Sequence, residues 1–131
     1  MKLMQKLMKK NNKGFSLVEL IVVILIIGVL AVAIAPQVTK WVKTAGQNSD
    51  KNNAATIKSA ISVAVSEYQS NHSGSPEASF TINGSAPTVA QLGNASTEII
   101  EVMNGEWPST KSDTSGFAVT ITSTGGVSVT D

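Results

Sequence analysis

Apolar and polar positions fall into three patterns along the chain. Between Phe15 and Ala35 only Ser16, Glu19 and Gly28 interrupt an apolar run. As helix, those 21 residues rise about 31 Å, close to the ~30 Å hydrocarbon core of a bilayer. From Gln37 to about Asn71 the pattern turns amphipathic. Val38, Trp41, Val42 and Ala45, then Ile57, Ala60, Ile61, Ala64, Val65 and Tyr68, recur every three or four residues, which predicts a helix with one apolar face. Gly46 to Asn53 is polar and a weak helix former, so fraying or a bend is expected there. The cluster Asn71-His72-Ser73-Gly74-Ser75-Pro76 ends the helix. Residues 15–71 thus read as one long helix.

Beyond it the elements are short. Ser79 to Asn83 alternates as a strand does, and Asn83-Gly84 marks a turn. Ser96 to Asn104 predicts a short helix, with Ser96 or Thr97 as N-cap and Gly105 as its stop. Phe117, Val119 and Ile121 alternate, Thr124-Gly125-Gly126 turns, and Val127 and Val129 alternate back. That pattern predicts an antiparallel hairpin with one apolar face. A stable sheet needs a third strand, for which 79–83 is one candidate among several. The expected class is α+β, a long N-terminal helix packed against a small antiparallel β-sheet.

Charge sharpens the picture at the N-terminus. Lys2, Lys6, Lys9, Lys10 and Lys13 precede the apolar run with no acid among them. A basic flank followed by an apolar span places the flank in the cytoplasm and the remainder outside. Glu19 is out of place in such a span, where a lone carboxylate costs roughly 2.5–3.5 kcal/mol or more and marks a functional position. A cleaved secretory signal peptide would account for the basic flank, the apolar run and the Ala33-Ile34-Ala35 triplet. Against it stand Glu19, a run longer than the usual ~7–15 residues, and Pro36 just after the cut, where its ring alters the scissile amide. An uncleaved anchor suits the length but not Glu19 or the sharp Gly14-Phe15 boundary.

Gly14-Phe15-Ser16-Leu17-Val18-Glu19-Leu20, with Gly28 and Pro36 downstream, resembles the class III signal of a type IV prepilin. The resemblance covers about the first quarter of the chain. It implies that a membrane-embedded aspartyl prepilin peptidase removes 1–14 after Gly14 and methylates the new amine of Phe15, while the apolar helix is retained. The implied organisation is a leader 1–14, a membrane and fibre-core helix 15–36, and a head 37–131 made of an amphipathic helix 37–71 and a sheet region 72–131. After cleavage, the Phe15 amine and the Glu19 carboxylate would each be costly in apolar surroundings, and pairing relieves both. Within one helix, residues four apart share a face. The family instead implies a pair between subunits that sets axial register. Gly28 is a weak helix former and Pro36 cannot donate to Val32, so the two bracket a segment expected to kink, or to bend within a continuous helix.

The resemblance further implies a homo-oligomeric helical filament, residence in the cytoplasmic membrane before assembly, and an extracellular pilus afterwards. Its partners would be the assembly platform protein with its ATPases, and host or abiotic surfaces met during adhesion, twitching or gliding motility and biofilm formation. The implied subunit is a major pilin. Within the family, the alternative is a pseudopilin or minor pilin of a secretion or DNA-uptake system; outside it, a membrane-anchored surface binding module. Loss of 1–14 removes five of the ten lysines, leaving five against nine acids and a side-chain balance of −4. That balance and the absence of arginine argue against a nucleic-acid surface.

Cysteine is absent, so no disulfide closes the C-terminal region as in many Gram-negative pilins, and packing and hydrogen bonds must do so. The departure resembles Gram-positive pilins, clostridial ones among them. Signs of catalysis or of a cofactor are lacking, and the chain reads as no enzyme. His72 is the only histidine and is expected in a solvated loop, while Glu98, Glu101 and Glu106 are expected on the wet face of a helix. Asp113 and Asp131 supply oxygens of the kind calcium takes, but their spacing matches no calcium loop. Asn71-His72-Ser73, Asn83-Gly84-Ser85 and Asn94-Ala95-Ser96 match the N-glycosylation pattern as chance matches in a Ser- and Asn-rich chain. Trp107 before Pro108 reads as a packed loop anchor.

Overall fold

The computed structural model describes residues 14–131, so the expected leader and its five lysines lie outside the described residues except for Gly14. Helix α1 spans Leu17–Asn71, 55 residues, and runs as helix through Gly28, Pro36 and the polar stretch Gly46 to Asn53. The fraying expected at that stretch is absent, because Asp50 there is fully buried and hydrogen-bonded. Strand β1 is Ala78–Ile82, one residue earlier than the alternation suggested. A short helix α2, Val89–Leu92, was not evident in the pattern. Gln91 Oε1 accepts the Thr88 N–H at 2.9 Å and so satisfies a donor at its start.

A 3₁₀ turn, Gly93–Ala95, leads into helix α3, Ser96–Met103. The N-cap is Ala95, not Ser96 or Thr97, because the preceding turn already sets the backbone and hands over its helical geometry. Asn104 ends α3 in the left-handed conformation and its N–H returns to the carbonyls of Ile100 and Glu101; Gly105 follows as the expected stop. Strands β2, Phe117–Ile121, and β3, Val127–Thr130, form the expected hairpin.

The sheet is antiparallel in the order β1-β2-β3, with Ile82 opposite Phe117, Phe80 opposite Val119, and Val119 opposite Val129. The class is therefore α+β, a long N-terminal helix with a small three-stranded sheet. β1 is flanked by α2 and the 93–95 turn, whereas β3, four residues long, pairs with β2 on one side only and has no strand on the other among the described residues.

The chain divides into two compact units, the first ending at Thr39 and the second running Lys40–Asp131. In the second, Ile57, Ile61, Ala64, Val65 and Tyr68 of α1 meet Phe80, Ile82, Phe117, Val119 and Ile121 of the sheet, with Leu92 and Ile99 closing the core. These α1 positions are the second half of the predicted apolar stripe; its first half, Val38, Trp41, Val42 and Ala45, is exposed, because no core residue of the second unit packs on that stretch. Phe117 is fully buried at the start of β2, the central strand. Phe117→Ala is expected to cost about 3–5 kcal/mol through lost burial and a residual cavity. For a unit of this size, that lowers the thermal midpoint by more than about 10 °C. Circular dichroism melting of the full chain in detergent measures this, and a shift within experimental scatter would contradict the core described.

Candidate functional site

Gly14, Phe15 and Ser16 precede helix α1 and are exposed. The Glu19 N–H donates to Ser16 Oγ at 3.1 Å, and the Leu20 N–H donates to the Ser16 carbonyl at 3.1 Å. Ser16 is thus the N-cap and Glu19 the acid of the first turn, where the helix presents its partial positive charge. The spacing Ser-x-x-Glu before an apolar run is a capping-box signature, and it was there to be read in the sequence. Because Phe15 lies before the helix, the shared face assumed for an intrachain pair with Glu19 does not extend to it. Glu19, in the first turn, is placed to offset the partial positive charge of the helix end.

Each residue from Phe15 through Lys40 is exposed, Phe15 by 86% and Leu17 by 74%. The first 25 residues of α1 include a stretch long and apolar enough to cross a membrane. Among the described residues no side chain covers this surface. Its apolar atoms need lipid or other chains around them.

The second unit holds one buried carboxylate, Asp50. Its Oδ1 accepts the Lys111 N–H at 2.6 Å; its Oδ2 accepts the Ser112 N–H at 2.8 Å and the Ser112 hydroxyl at 2.6 Å. Burial alone would raise the Asp50 pKa, but the Ser112 hydroxyl and the two backbone donors, aided by the Lys111 charge, hold it below the ordinary carboxylate value. The 106–116 segment is tied further along its length. Thr110 Oγ1 donates to the Asp113 carbonyl at 2.8 Å and accepts the Gly116 N–H at 3.3 Å. The Asn83 amide donates to the Thr114 carbonyl at 2.8 Å, and the Gly84 N–H to the Pro108 carbonyl at 3.1 Å. At Gly116, with φ of +80°, a Cβ would lie 2.7 Å from the Ile82 carbonyl oxygen, so only glycine lets the segment enter β2 here.

Asp50 falls on the buried stripe at heptad spacing from Ile57 and Ala64, so a polar residue at a core position was the signal available in the sequence. Its folded pKa is depressed, so the stability it contributes is full above the ordinary value of about 3.9 and fades as pH falls through the lower, folded value. The amide shifts of Lys111 and Ser112 are expected to stay flat through neutral pH and to move only below about pH 4. The same shifts should not titrate in Asp50→Asn. Titration near neutrality in the native chain would contradict the clip.

His72 is exposed in the loop after α1, as expected. Its ring stacks on Tyr68 at 4.7 Å between centroids, and Nδ1 lies 3.8 Å from Glu98 Oε1. Glu98, expected on the wet face, is only 13% exposed in its side chain for the same reason. Asp113 Oδ1 accepts both the N–H and the hydroxyl of Ser115, which hold its pKa low. Among the described residues no three His, Cys, Asp or Glu side chains gather as a metal site.

A family model described as the prokaryotic N-terminal methylation motif matches residues 9–35. That motif is the one found at the N-terminus of type IV prepilins, and here it covers about the first quarter of the chain. A ComG operon protein 3 homolog of Bacillus licheniformis is 33% identical over 64 residues, covering 49% of this chain. The match spans 62% of that relative's length. No solved structure matches. The motif contains Gly14, Phe15 and Glu19, and with the exposed apolar helix it fits a membrane-anchored precursor of a pilin-type subunit.

Proposed function

We propose that the chain is a major pilin, the structural subunit of a type IV pilus that polymerises through its N-terminal helix. The observation that carries this reading is a fully exposed apolar helix whose first turn holds a single acid, inside a matched methylation motif. Lipid covers that surface in the precursor, and the helices of other copies cover it in the fibre. Prepilin peptidase cuts between Gly14 and Phe15 and methylates the Phe15 amine. Glu19 of one subunit then takes the amine of the next, fixing axial register, which is the best-attested use of a buried ion pair. Gly28 and Pro36 are the positions at which the helix yields on leaving lipid. The platform protein and ATPase that drive polymerisation act on the membrane-held subunit, and the heads form the outer surface for adhesion, motility and biofilm contacts.

The likeness to a ComG operon protein 3 homolog favours a second reading, a pseudopilin or minor pilin of a secretion or DNA-uptake system. Abundance separates the two, because a major pilin dominates sheared surface material. Intact mass and N-terminal sequencing of that material test the proposal. A chain starting at Phe15 with one added methyl, in a high-molecular-weight fraction, is expected. A start at Met1 in the membrane would leave an anchored binding module, and a start at Pro36 an ordinary secreted protein.

A further inference from the structure

Charge is segregated across the helical part of the unit Lys40–Asp131. At about 100° per residue, Lys40, Lys51 and Lys58 fall within about 20° of one another on α1, with Lys43 about 60° away. All four are exposed. Among the described residues none of them forms an ion pair. Asn53, Thr56 and Glu67 occupy the opposite flank of the same helix, and the buried positions Ile57, Ile61 and Ala64 lie between the two flanks.

On that opposite flank, α1 and the 102–108 segment enclose a cleft of about 450 Å³. Buried Ile57 and Met103 line it, together with half-buried Trp107, while Asn53, Thr56 and Glu106 supply its polar atoms. Glu106 is the one formal charge in the cleft. Among the described residues its carboxylate takes part in no hydrogen bond or ion pair. An apolar lining with an aromatic ring and one unpaired carboxylate suits a lysine side chain. The methylene stem covers Met103 and Trp107 while the ammonium reaches Glu106 and the indole face.

We propose that this cleft receives a lysine from the Lys40–Lys58 row of a second copy, giving a head-to-head contact that joins the lysine flank of one subunit to the Glu106 flank of the next. It rests on the self-assembly proposed above and adds to it a specific contact between heads. Because donor and acceptor flanks are different surfaces of one molecule, the contact is heterologous and open-ended, so it propagates instead of closing into a dimer. A single exposed ion pair adds little affinity. The apolar helices therefore drive association, while this contact orients neighbouring heads and makes their packing weaken with salt.

Zero-length carbodiimide coupling on cells producing the full chain, followed by peptide mass spectrometry, tests the contact directly. Glu106 is expected joined to Lys40, Lys43, Lys51 or Lys58, within a ladder extending past the dimer. Glu106→Gln should lose that linked peptide by at least about tenfold while the chain remains folded by circular dichroism. Exchanging the charges of Glu106 and the linked lysine should restore filament packing that either single reversal weakens. Filaments present without any Glu106–lysine link, or a ladder that stops at the dimer, would overturn the contact and leave the filament reading standing. Should the chain be recovered uncleaved and without filaments, the filament reading falls by itself. Coupling in those membranes then still decides, a Glu106–lysine ladder supporting the contact and its absence rejecting it.

Discussion

Glu19→Ala is expected to leave the chain exported and cut after Gly14, yet nearly to abolish its recovery in sheared filaments. Removing one member of an ion pair held away from water strands the other, which in the proposed filament is the Phe15 amine, beside a helix end that is itself positive. The weakening is on the order of a hundredfold or more per subunit contact. Such a loss repeats at each step of a polymer, so filament yield falls far more than the affinity of any one contact. Two comparison variants separate the charge from the cap. Ser16→Ala removes the hydroxyl that accepts the Glu19 N–H and costs the helix start only about 1 kcal/mol, so filaments should persist. Glu19→Gln keeps size and hydrogen bonding but not charge, and should fail as Glu19→Ala does. Normal filament yield from Glu19→Gln would end the case for a charge pair.

Asp50→Ala is expected to release the 106–116 segment from α1. The carboxylate is the acceptor for two backbone N–H groups and a hydroxyl, and alanine leaves all three without a partner on α1. The segment holds no regular helix or strand of its own, so its order depends on such ties. Limited proteolysis of the full chain should show new cleavage between Glu106 and Gly116 while the β2–β3 hairpin stays protected. Hydrogen exchange at Lys111 and Ser112 should quicken in parallel. Unchanged protection at both amides would show that packing alone holds the segment. Because Glu106 and Trp107 begin this segment, Asp50→Ala should also disturb the cleft that they line.

The elements legible in the sequence were those whose signal is local and periodic. The stripe from Ile57 to Tyr68, the alternation of Phe117, Val119 and Ile121, and the Gly125-Gly126 turn each state their own conformation, and each folds accordingly. The stretch from Gly14 to Glu19 was legible as a short motif, and a family model matches it. Ser16 was misjudged as a mere interruption of the apolar run, although Ser-x-x-Glu declares a helix start. Helix α2 was missed because four residues are too few for a helical period. The partners of Asp50 lie 61 and 62 residues away and are largely backbone N–H groups, which every residue but proline carries. Side-chain identity therefore encodes that the acid must be satisfied, but not by what. His72 is the exposed loop residue expected, but a loop position says nothing of the Tyr68 ring one turn back, on which it stacks.

The open edge of the sheet bears on a hazard that any chain crowded against its own copies must meet. An unpaired strand is a template for another strand, and dense arrays of like chains favour that pairing. β1 is screened by α2 and the 93–95 turn, which leaves β3 as the accessible edge. β3 offers only four residues, and Ser128 and Thr130 alternate with Val127 and Val129. Such a strand is too short and too polar on one face to seed cross-β growth, which needs six- or seven-residue apolar segments. In the proposed filament, copies would therefore lie close together without their sheets merging into amyloid.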